Sequence, residues 1–130
     1  MSSPGKKEAT ILVVEDEADI LTLVSRTLEL EGYRVLQAMD GEAGLKVLTE
    51  TRVDLLLLDL RLPVLDGWAV LSEIKNTPGL KAIPVVIISA SVGPAKEDEA
   101  LEMGAAAFLT KPVSLDDLLK MVRQTLRGKR

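Results

Sequence analysis

Five short apolar runs, separated by segments with helical spacing, constrain the fold of this chain more than any other feature. The runs are TILVV (10–14), YRVLQA (33–38), DLLLLD (54–59), PVVIIS (84–89) and AAFLT (106–110). Each is four to six residues long and consists mostly of apolar residues, without strict alternation of apolar and polar positions. Unbroken apolar runs of this length are typical of strands that are covered on both faces, as in a parallel sheet. The runs therefore predict five buried, parallel strands.

The first three intervening segments have the features of amphipathic helices. Apolar residues recur at intervals of three and four between residues 21 and 28, and Gly32 follows where a helix-stopping glycine is expected. Asp40 is placed to cap a second helix that runs through about Glu50. A third helix is predicted over residues 68–76, before a Thr-Pro-Gly sequence ends it.

The last two segments differ in how strongly they are anchored. The segment 94–103 offers few apolar residues among many charged ones, so it predicts a weakly held helix. The final segment, which Ser114 opens, has the clearest apolar stripe of the chain. That stripe is formed by Leu115, Leu118, Leu119, Val122 and Leu126.

Regular alternation of strands and helices predicts an α/β fold, with one five-stranded parallel sheet flanked by five helices and joined by right-handed crossovers. At 130 residues the chain has the size of one domain. We expect residues 1–9 to form a flexible N-terminal arm and residues 10–127 to form the domain, with no output domain present.

Composition excludes several classes of function. The chain has no cysteine and no histidine, so it can form neither disulfides nor thiolate metal sites, and any metal must be held by oxygen. A net charge of −4 argues against direct binding of nucleic acid. No signal peptide and no apolar run of membrane length is present, which predicts a cytoplasmic protein without membrane contact.

Polar residues stand at the carboxyl ends of four predicted strands. Glu15 and Asp16 follow strand 1, Asp59 ends strand 3, Ser89 ends strand 4 and Lys111 follows strand 5. Singly, each has an ordinary explanation: a helix cap for Asp16, and a solvated acid, a loop hydroxyl or an exposed lysine for the others. Together they favour one site, because ligands of open α/β sheets bind beyond the carboxyl ends of the strands.

Three carboxylates in one pocket repel each other. At an effective dielectric near 20, a pair about 4 Å apart costs roughly 4 kcal/mol. Either the pKa values of the acids rise or a cation binds. Because carboxylate oxygens are hard ligands, Mg²⁺ is the cation that we expect there.

Four motifs make the chain resemble the receiver domains of two-component response regulators. They are ILVVEDE, DLLLLDLRLPVLDGW, PVVIISA and GAAAFLTKPV, and the resemblance runs from Thr10 to Leu126. It implies the flavodoxin-like receiver fold with strand order 2-1-3-4-5. That strand order is known for the class of doubly wound folds to which the family belongs, and we expect it for this chain because of the resemblance alone.

The resemblance implies a phosphoacceptor and a metal site. Asp59 stands at the position that is phosphorylated in the family. Asp16 would bind Mg²⁺ directly and Glu15 through water or an adjusted geometry, together with Asp59 and the main-chain carbonyl of Arg61. Glu15 stands where aspartate is commoner, which leaves its contact with the metal open.

Further residues are assigned roles by the same resemblance. Lys111 and Ser89 would contact the phosphoryl oxygens and act as the catalytic side chains. Ser89 and Phe108 would form the conformational switch, although Phe108 by itself reads as an ordinary core residue. The peptide bond before Pro112 would be cis, as is usual in the family.

The implied function is signalling. A histidine kinase or a histidine phosphotransfer protein would phosphorylate the domain in a Mg²⁺-dependent step. The modified domain would then change its surface at helix 4, strand 5 and helix 5, and so control binding to a downstream effector or to a missing output domain. A phosphorylation-dependent homodimer is compatible with this role. The domain would not be an enzyme, although it would assist its own phosphorylation and dephosphorylation.

Three other classes of function fit parts of the sequence. Phosphatases with an aspartyl nucleophile need a second aspartate two residues on, where this chain has Arg61. A flavodoxin-like cofactor module would place its phosphate loop after strand 1, where the acidic residues would repel phosphate. A receiver-like interaction module that is never phosphorylated remains open, although the intact set of site residues argues against it.

Overall fold

The computed structural model describes residues 9–90 and 94–128, which form five strands alternating with five helices. The strands are β1 (Thr10–Val14), β2 (Arg34–Ala38), β3 (Leu55–Asp59), β4 (Val85–Ser89) and β5 (Ala107–Thr110). The helices are α1 (Ala18–Leu30), α2 (Gly41–Glu50), α3 (Gly67–Lys75), α4 (Pro94–Glu102) and α5 (Leu115–Gly128). Most of the expected N-terminal arm, residues 1–8, lies outside the described residues. Ala9 is described, and its carbonyl accepts the N–H of Arg34 at 3.0 Å.

All strand pairs of the sheet are parallel, in the order β2-β1-β3-β4-β5. This confirms the predicted fold class and strand order. In the register of the sheet, Val14 pairs with Leu58 and Asp59 with Ile88. The carboxyl ends of neighbouring strands therefore lie side by side, which brings the polar residues at those ends to one edge.

Both faces of the sheet are covered, which explains the unbroken leucine run of β3. Leu56 and Leu58 pack into one buried cluster, together with residues of α2, α3 and α4. Leu55 and Leu57 point to the opposite face and pack against residues of α1 and α5. Successive side chains of a strand point to opposite faces, so a strand buried on both sides needs apolar residues at every position.

Side-chain caps fix the starts of three helices. The Asp40 carboxylate accepts the N–H of Ala43 at 2.7 Å, which confirms the predicted cap of α2. Asp66 caps α3 through the N–H of Ala69 at 2.9 Å. Ser114 opens α5, as predicted, and its hydroxyl accepts a longer bond of 3.3 Å from a backbone N–H of the first turn.

Helix α4 is held by few apolar contacts. Of its side chains over residues 95–102, Ala100 alone is buried, and Leu101 is 41% exposed. Lys96 lies over the ring of Trp68, 6.0 Å from the centroid, which links α4 to α3 at the surface. The expectation of a weakly anchored fourth helix is confirmed. Within the described part of the chain, no helix combines the length and the apolar character that crossing a bilayer requires.

Candidate functional site at the carboxyl edge of the sheet

Three carboxylates converge at this edge, as the sequence predicts. Asp59 is the last residue of β3 and Glu15 directly follows β1; both are almost fully buried, at 4% and 3% exposure. Asp16 lies beside them and is exposed. One carboxylate oxygen from each residue lies within 4.8 Å of the others, a spacing that a single metal ion could bridge.

Lys111 supplies a positive charge to the same place. Its Nζ lies 2.8 Å from Asp59 Oδ2, 2.9 Å from Glu15 Oε1 and 3.2 Å from Glu17 Oε1. The lysine directly follows β5, and its backbone N–H donates to the carbonyl of Ser89 at 2.9 Å. The peptide bond between Lys111 and Pro112 is cis, as predicted. The last residues of β4 and β5 therefore aim the ammonium at the carboxylates.

Each buried carboxylate is held at both oxygens. Asp59 directs Oδ2 to Lys111 and accepts the N–H of Arg61 at Oδ1, at 3.0 Å. Glu15 directs Oε1 to Lys111 and accepts the N–H of Glu17 at Oε2, at 3.1 Å. Because each oxygen has a protein donor, neither acid can rotate without breaking a hydrogen bond.

Burial and pairing act on the ionisation of the site. Burial raises the pKa of Glu15, and the nearby Asp59 charge adds to this, while Lys111 and the Glu17 N–H partly oppose it. Burial by itself would lower the pKa of Lys111, but its hydrogen bonds to Asp59 and Glu15 outweigh burial and raise that pKa above 10.5. Lys111 therefore stays an ammonium at neutral pH.

The donor set fits a magnesium ion. Asp16 does not cap α1: the residue at the N-cap position is Glu17, and it makes no side-chain capping bond. Within the described residues, no side chain or backbone N–H donates to the Asp16 carboxylate, which leaves its oxygens open to a ligand. Oxygen-only ligands with solvent access on one side are what Mg²⁺ takes in proteins, since it retains several waters.

The loop after Asp59 ends in an Asp-Gly pair, Asp66 and Gly67, and the structure shows why the second residue is glycine. A Cβ atom at Gly67 would lie 2.3 Å from the Asp59 carbonyl oxygen and 2.5 Å from the Leu60 Cα. Gly67 also donates its N–H to the Leu60 carbonyl at 2.9 Å. The start of α3 thus packs directly on the backbone of Asp59 and Leu60, and only glycine leaves room for this approach.

The same loop contains a strained residue. Val64 has a φ of 69°, a region that β-branched residues rarely adopt. Leu65 donates its N–H across Val64 to the carbonyl of Pro63 at 2.7 Å, which closes a γ-turn of the rare positive-φ form. Sequence reasoning did not anticipate this geometry, because a valine gives no signal for positive φ.

Ser89 and Phe108 lie on neighbouring strands. Ser89 ends β4, is fully buried and pairs with Thr110 in the register of the sheet. Phe108 lies two residues before Thr110 and is half-buried. It packs against the cluster that contains Ala100, the buried anchor of α4. The structure thus brings Phe108 to α4 and Ser89 to the edge where the carboxylates lie.

Glu17 belongs to the site although it is not among the predicted site residues. A third acid after a strand is ordinarily solvated, and Glu17 is indeed 61% exposed. Its carboxylate nevertheless reaches the Lys111 ammonium. Only the fold, which places a lysine 94 residues away beside it, reveals this contact.

Comparison with known proteins identifies the family. The model of the response regulator receiver domain matches residues 11–123. The chain therefore belongs to the receiver domains of two-component response regulators, as its motifs predict. Members of this family act with histidine kinases and effector proteins in signal transduction.

Individual relatives agree with this assignment. The transcriptional regulatory protein PrrA of Mycobacterium leprae is 37% identical over 123 residues, which cover 95% of this chain and 52% of PrrA. The Francisella response regulator 1452 receiver domain superposes with a TM-score of 0.90 at 27% identity, covering 95% of this chain and all of that one. The Mn²⁺-bound form of response regulator Rcp1 superposes with a TM-score of 0.78 at 36% identity, covering 89% of this chain and 90% of that one. The chain spans about half the length of the curated relatives it matches.

Proposed function

We propose that Asp59 is the phosphoacceptor of this receiver domain. The observation that carries the proposal is the placement of Asp59: a buried carboxylate, held between the Lys111 ammonium and the Arg61 N–H, beside two further carboxylates. A carboxylate in such a setting is an aimed nucleophile whose neighbours can offset the charge of a phosphoryl group.

The proposed reaction moves one phosphoryl group. A carboxylate oxygen of Asp59 forms a bond to phosphorus while the bond from phosphorus to a nitrogen of the donor histidine breaks. The electron pair of that broken bond stays on the histidine nitrogen, and Asp59 becomes an acyl phosphate. The donor is a histidine kinase or a histidine phosphotransfer protein, since this chain contains no histidine.

Six groups are proposed to serve the transfer. Glu15, Asp16, Asp59 and the main-chain carbonyl of Arg61 would hold Mg²⁺, which when bound supplies positive charge against the phosphoryl oxygens. The Lys111 ammonium, already 2.8 Å from Asp59, would contact one phosphoryl oxygen. The Ser89 hydroxyl would donate to another. Apart from Asp59, these groups position charge and perform no covalent step, as is general for phosphoryl transfer.

The phosphorylated state is proposed to act through α4, β5 and α5. A phosphoryl group adds charge and strong acceptors, which would draw Ser89 and Lys111 toward Asp59. Phe108 would then fill the space that Ser89 leaves. Weak anchoring of α4 supports this element as the one that shifts, because it has few contacts to lose.

The wider assignment concerns partners and organisation. We propose residues 10–127 as the receiver domain and a signalling role without an independent catalytic reaction. An effector protein or a linked output domain would read the switched surface, and a homodimer of phosphorylated domains is one form that such reading can take. We also propose a cytoplasmic location, which is general among response regulators.

Intact mass after incubation with acetyl phosphate tests the acceptor. The wild-type chain should gain one phosphoryl group only when Mg²⁺ is present, with acetate leaving as the phosphorus–oxygen bond of the donor breaks. Asp59→Asn should gain none. Asp66→Asn is the matched control, because asparagine caps a helix as well as aspartate does and the fold is retained. Phosphorylation of Asp59→Asn to the wild-type level would refute the assignment.

The switch is tested separately with Phe108→Ala. We expect this variant to be phosphorylated normally but to bind a cognate partner with the same affinity in both states. The proposed role of the aromatic side chain would be contradicted if phosphorylation changed the partner affinity of Phe108→Ala as much as it changes that of the wild type.

A further inference from the structure

Three carboxylates share the ammonium of Lys111, and they are not equivalent. Asp59 and Glu15 lie closer, at 2.8 and 2.9 Å, and their side chains are 4% exposed. Glu17 lies at 3.2 Å and is 61% exposed. Because an ammonium has three N–H donors, these three carboxylates match its whole donor capacity.

A phosphoryl oxygen that binds Lys111 must therefore take over one donor. The contact to Glu17 is the longest and the most solvated of the three, so it is the weakest to break. Asp59 and Glu15 are further fixed by backbone N–H groups at their second oxygens. While Asp59 is still a carboxylate, the least costly exchange for an incoming phosphoryl oxygen therefore replaces Glu17.

We propose that Glu17 is a positioning residue, which holds the third donor of Lys111 in the unphosphorylated domain and releases it to an incoming phosphoryl oxygen. This inference rests on the proposed function of Asp59. Glu17 acts through Lys111 and does not itself touch the phosphoryl group. Its contact competes with the phosphoryl oxygen and so slows phosphorylation.

The expected size of the effect follows from the exposure of the pair. Ion pairs with one strongly solvated partner change equilibria by about two- to five-fold. Loss of the contact should raise the phosphorylation rate by about that factor. The negative charge of Glu17 also attracts cations to the neighbouring acids, so loss of the charge should weaken Mg²⁺ binding by a similar factor.

Two variants separate contact from charge. Glu17→Gln removes the charge and weakens the contact. Glu17→Asp keeps the charge but withdraws the carboxylate by about one carbon–carbon bond, ~1.5 Å. Asp19→Asn is the matched control, because Asp19 is an exposed acid in the first turn of α1 and forms no ion pair with any described residue.

The first measurement is the rate of phosphorylation by acetyl phosphate at saturating Mg²⁺. We expect both Glu17 variants to react two- to five-fold faster than the wild type, and Asp19→Asn to stay within about 1.5-fold. Calorimetric titration should show weaker Mg²⁺ binding for Glu17→Gln but not for Glu17→Asp. The proposal would be overturned if Glu17→Asp were phosphorylated at the wild-type rate, or if Glu17→Gln and Asp19→Asn changed the phosphorylation rate by the same factor.

A second measurement tests the contact without phosphorylation. The ammonium of Lys111 can be followed by NMR in protein labelled with ¹⁵N-lysine. Its protons should exchange with water faster in both Glu17 variants than in the wild type or in Asp19→Asn, and unchanged exchange would overturn the proposal. A wild-type chain that gains no phosphoryl group would instead refute the proposed function, while the exchange rates would still decide whether Glu17 holds the ammonium.

Discussion

Substitution of Gly67 by alanine should displace the backbone at Asp59, because the start of α3 packs directly against it. The new Cβ would lie 2.3 Å from the Asp59 carbonyl oxygen and 2.5 Å from the Leu60 Cα. Both neighbours are backbone atoms at the end of a central strand, so no side chain can turn aside. The start of α3 must move away by about 1 Å, since an ordinary carbon–oxygen contact is about 3.5 Å.

The cost can be estimated from these contacts. An extra methyl group forced into a packed site costs typically 1–3 kcal/mol, and the rigid neighbours of Gly67 favour the upper end. Replacement of glycine by alanine in a helix by itself stabilises the folded state by roughly 0.5–1 kcal/mol, which offsets part of this cost. We therefore expect a net loss of about 2 kcal/mol in the free energy of unfolding. For a domain of this size, such a loss lowers Tm by roughly 6–10 °C.

Urea unfolding followed by the fluorescence of Trp68, the single tryptophan of the chain, measures this loss. Gly79→Ala is the control, because a Cβ there would meet no atom within 4 Å, and its midpoint should change little. If Asp59 is the acceptor, Gly67→Ala should also slow phosphorylation at least ten-fold, since misplacement of a reacting group by 1 Å can cost about a hundred-fold. Equal urea midpoints for the two variants would refute the steric reasoning.

Three further outcomes are expected. Burial raises the pKa of Tyr33, the single tyrosine, with Glu31 adding to the shift and Arg123 opposing it. Its absorbance titration should therefore have a midpoint above pH 10.0, and a midpoint at or below 10.0 would contradict the raised pKa. The stabilisation that the neutral phenol provides is complete below pH 10.0 and is lost as the pH rises through the raised pKa. Val64→Gly should stabilise the domain by about 1 kcal/mol, because the Val64 side chain is 75% exposed and glycine tolerates the positive φ at this position. The variant should therefore have a higher urea midpoint than the wild type, and a lower midpoint would show that Val64 is not strained. Mg²⁺ should raise the Tm of the wild type if it binds at the carboxylates, and Asp16→Asn should abolish that rise; a retained rise would exclude Asp16 as a ligand.

Strands and helix caps could be predicted well because their signals are local. A strand that is buried on both faces needs apolar residues at every position, and the run ending in Asp59 shows this at once. Asp40 and Ser114 mark the starts of helices, because their side chains accept hydrogen bonds from nearby backbone N–H groups. In both cases the physical cause acts within a few residues of the signal, so no knowledge of the fold is needed.

The details of the site could not be predicted, because they depend on contacts between distant parts of the chain. An Asp-Gly pair ordinarily marks a turn, and nothing in the sequence shows that Gly67 packs on the backbone of Asp59. A valine favours extended backbone, so the positive φ of Val64 runs against its propensity. The carboxylate of Glu17 is assigned to the site only by its distance to Lys111, which a sequence does not contain.

The contacts of Lys111 suggest why a charge added at Asp59 would be transmitted to α4 and not through the whole sheet. Its side chain bonds Asp59, while its backbone N–H bonds the carbonyl of Ser89, so the ends of β3, β4 and β5 meet at this one residue. Strands β3 and β4 are buried along their whole length and close-packed, and interiors of that density resist small displacements. Helix α4, with Ala100 as the buried member of its described side chains, has little packing to lose by moving. A stiff sheet beside a loosely held helix would therefore confine the proposed conformational response to the surface that Phe108 supports.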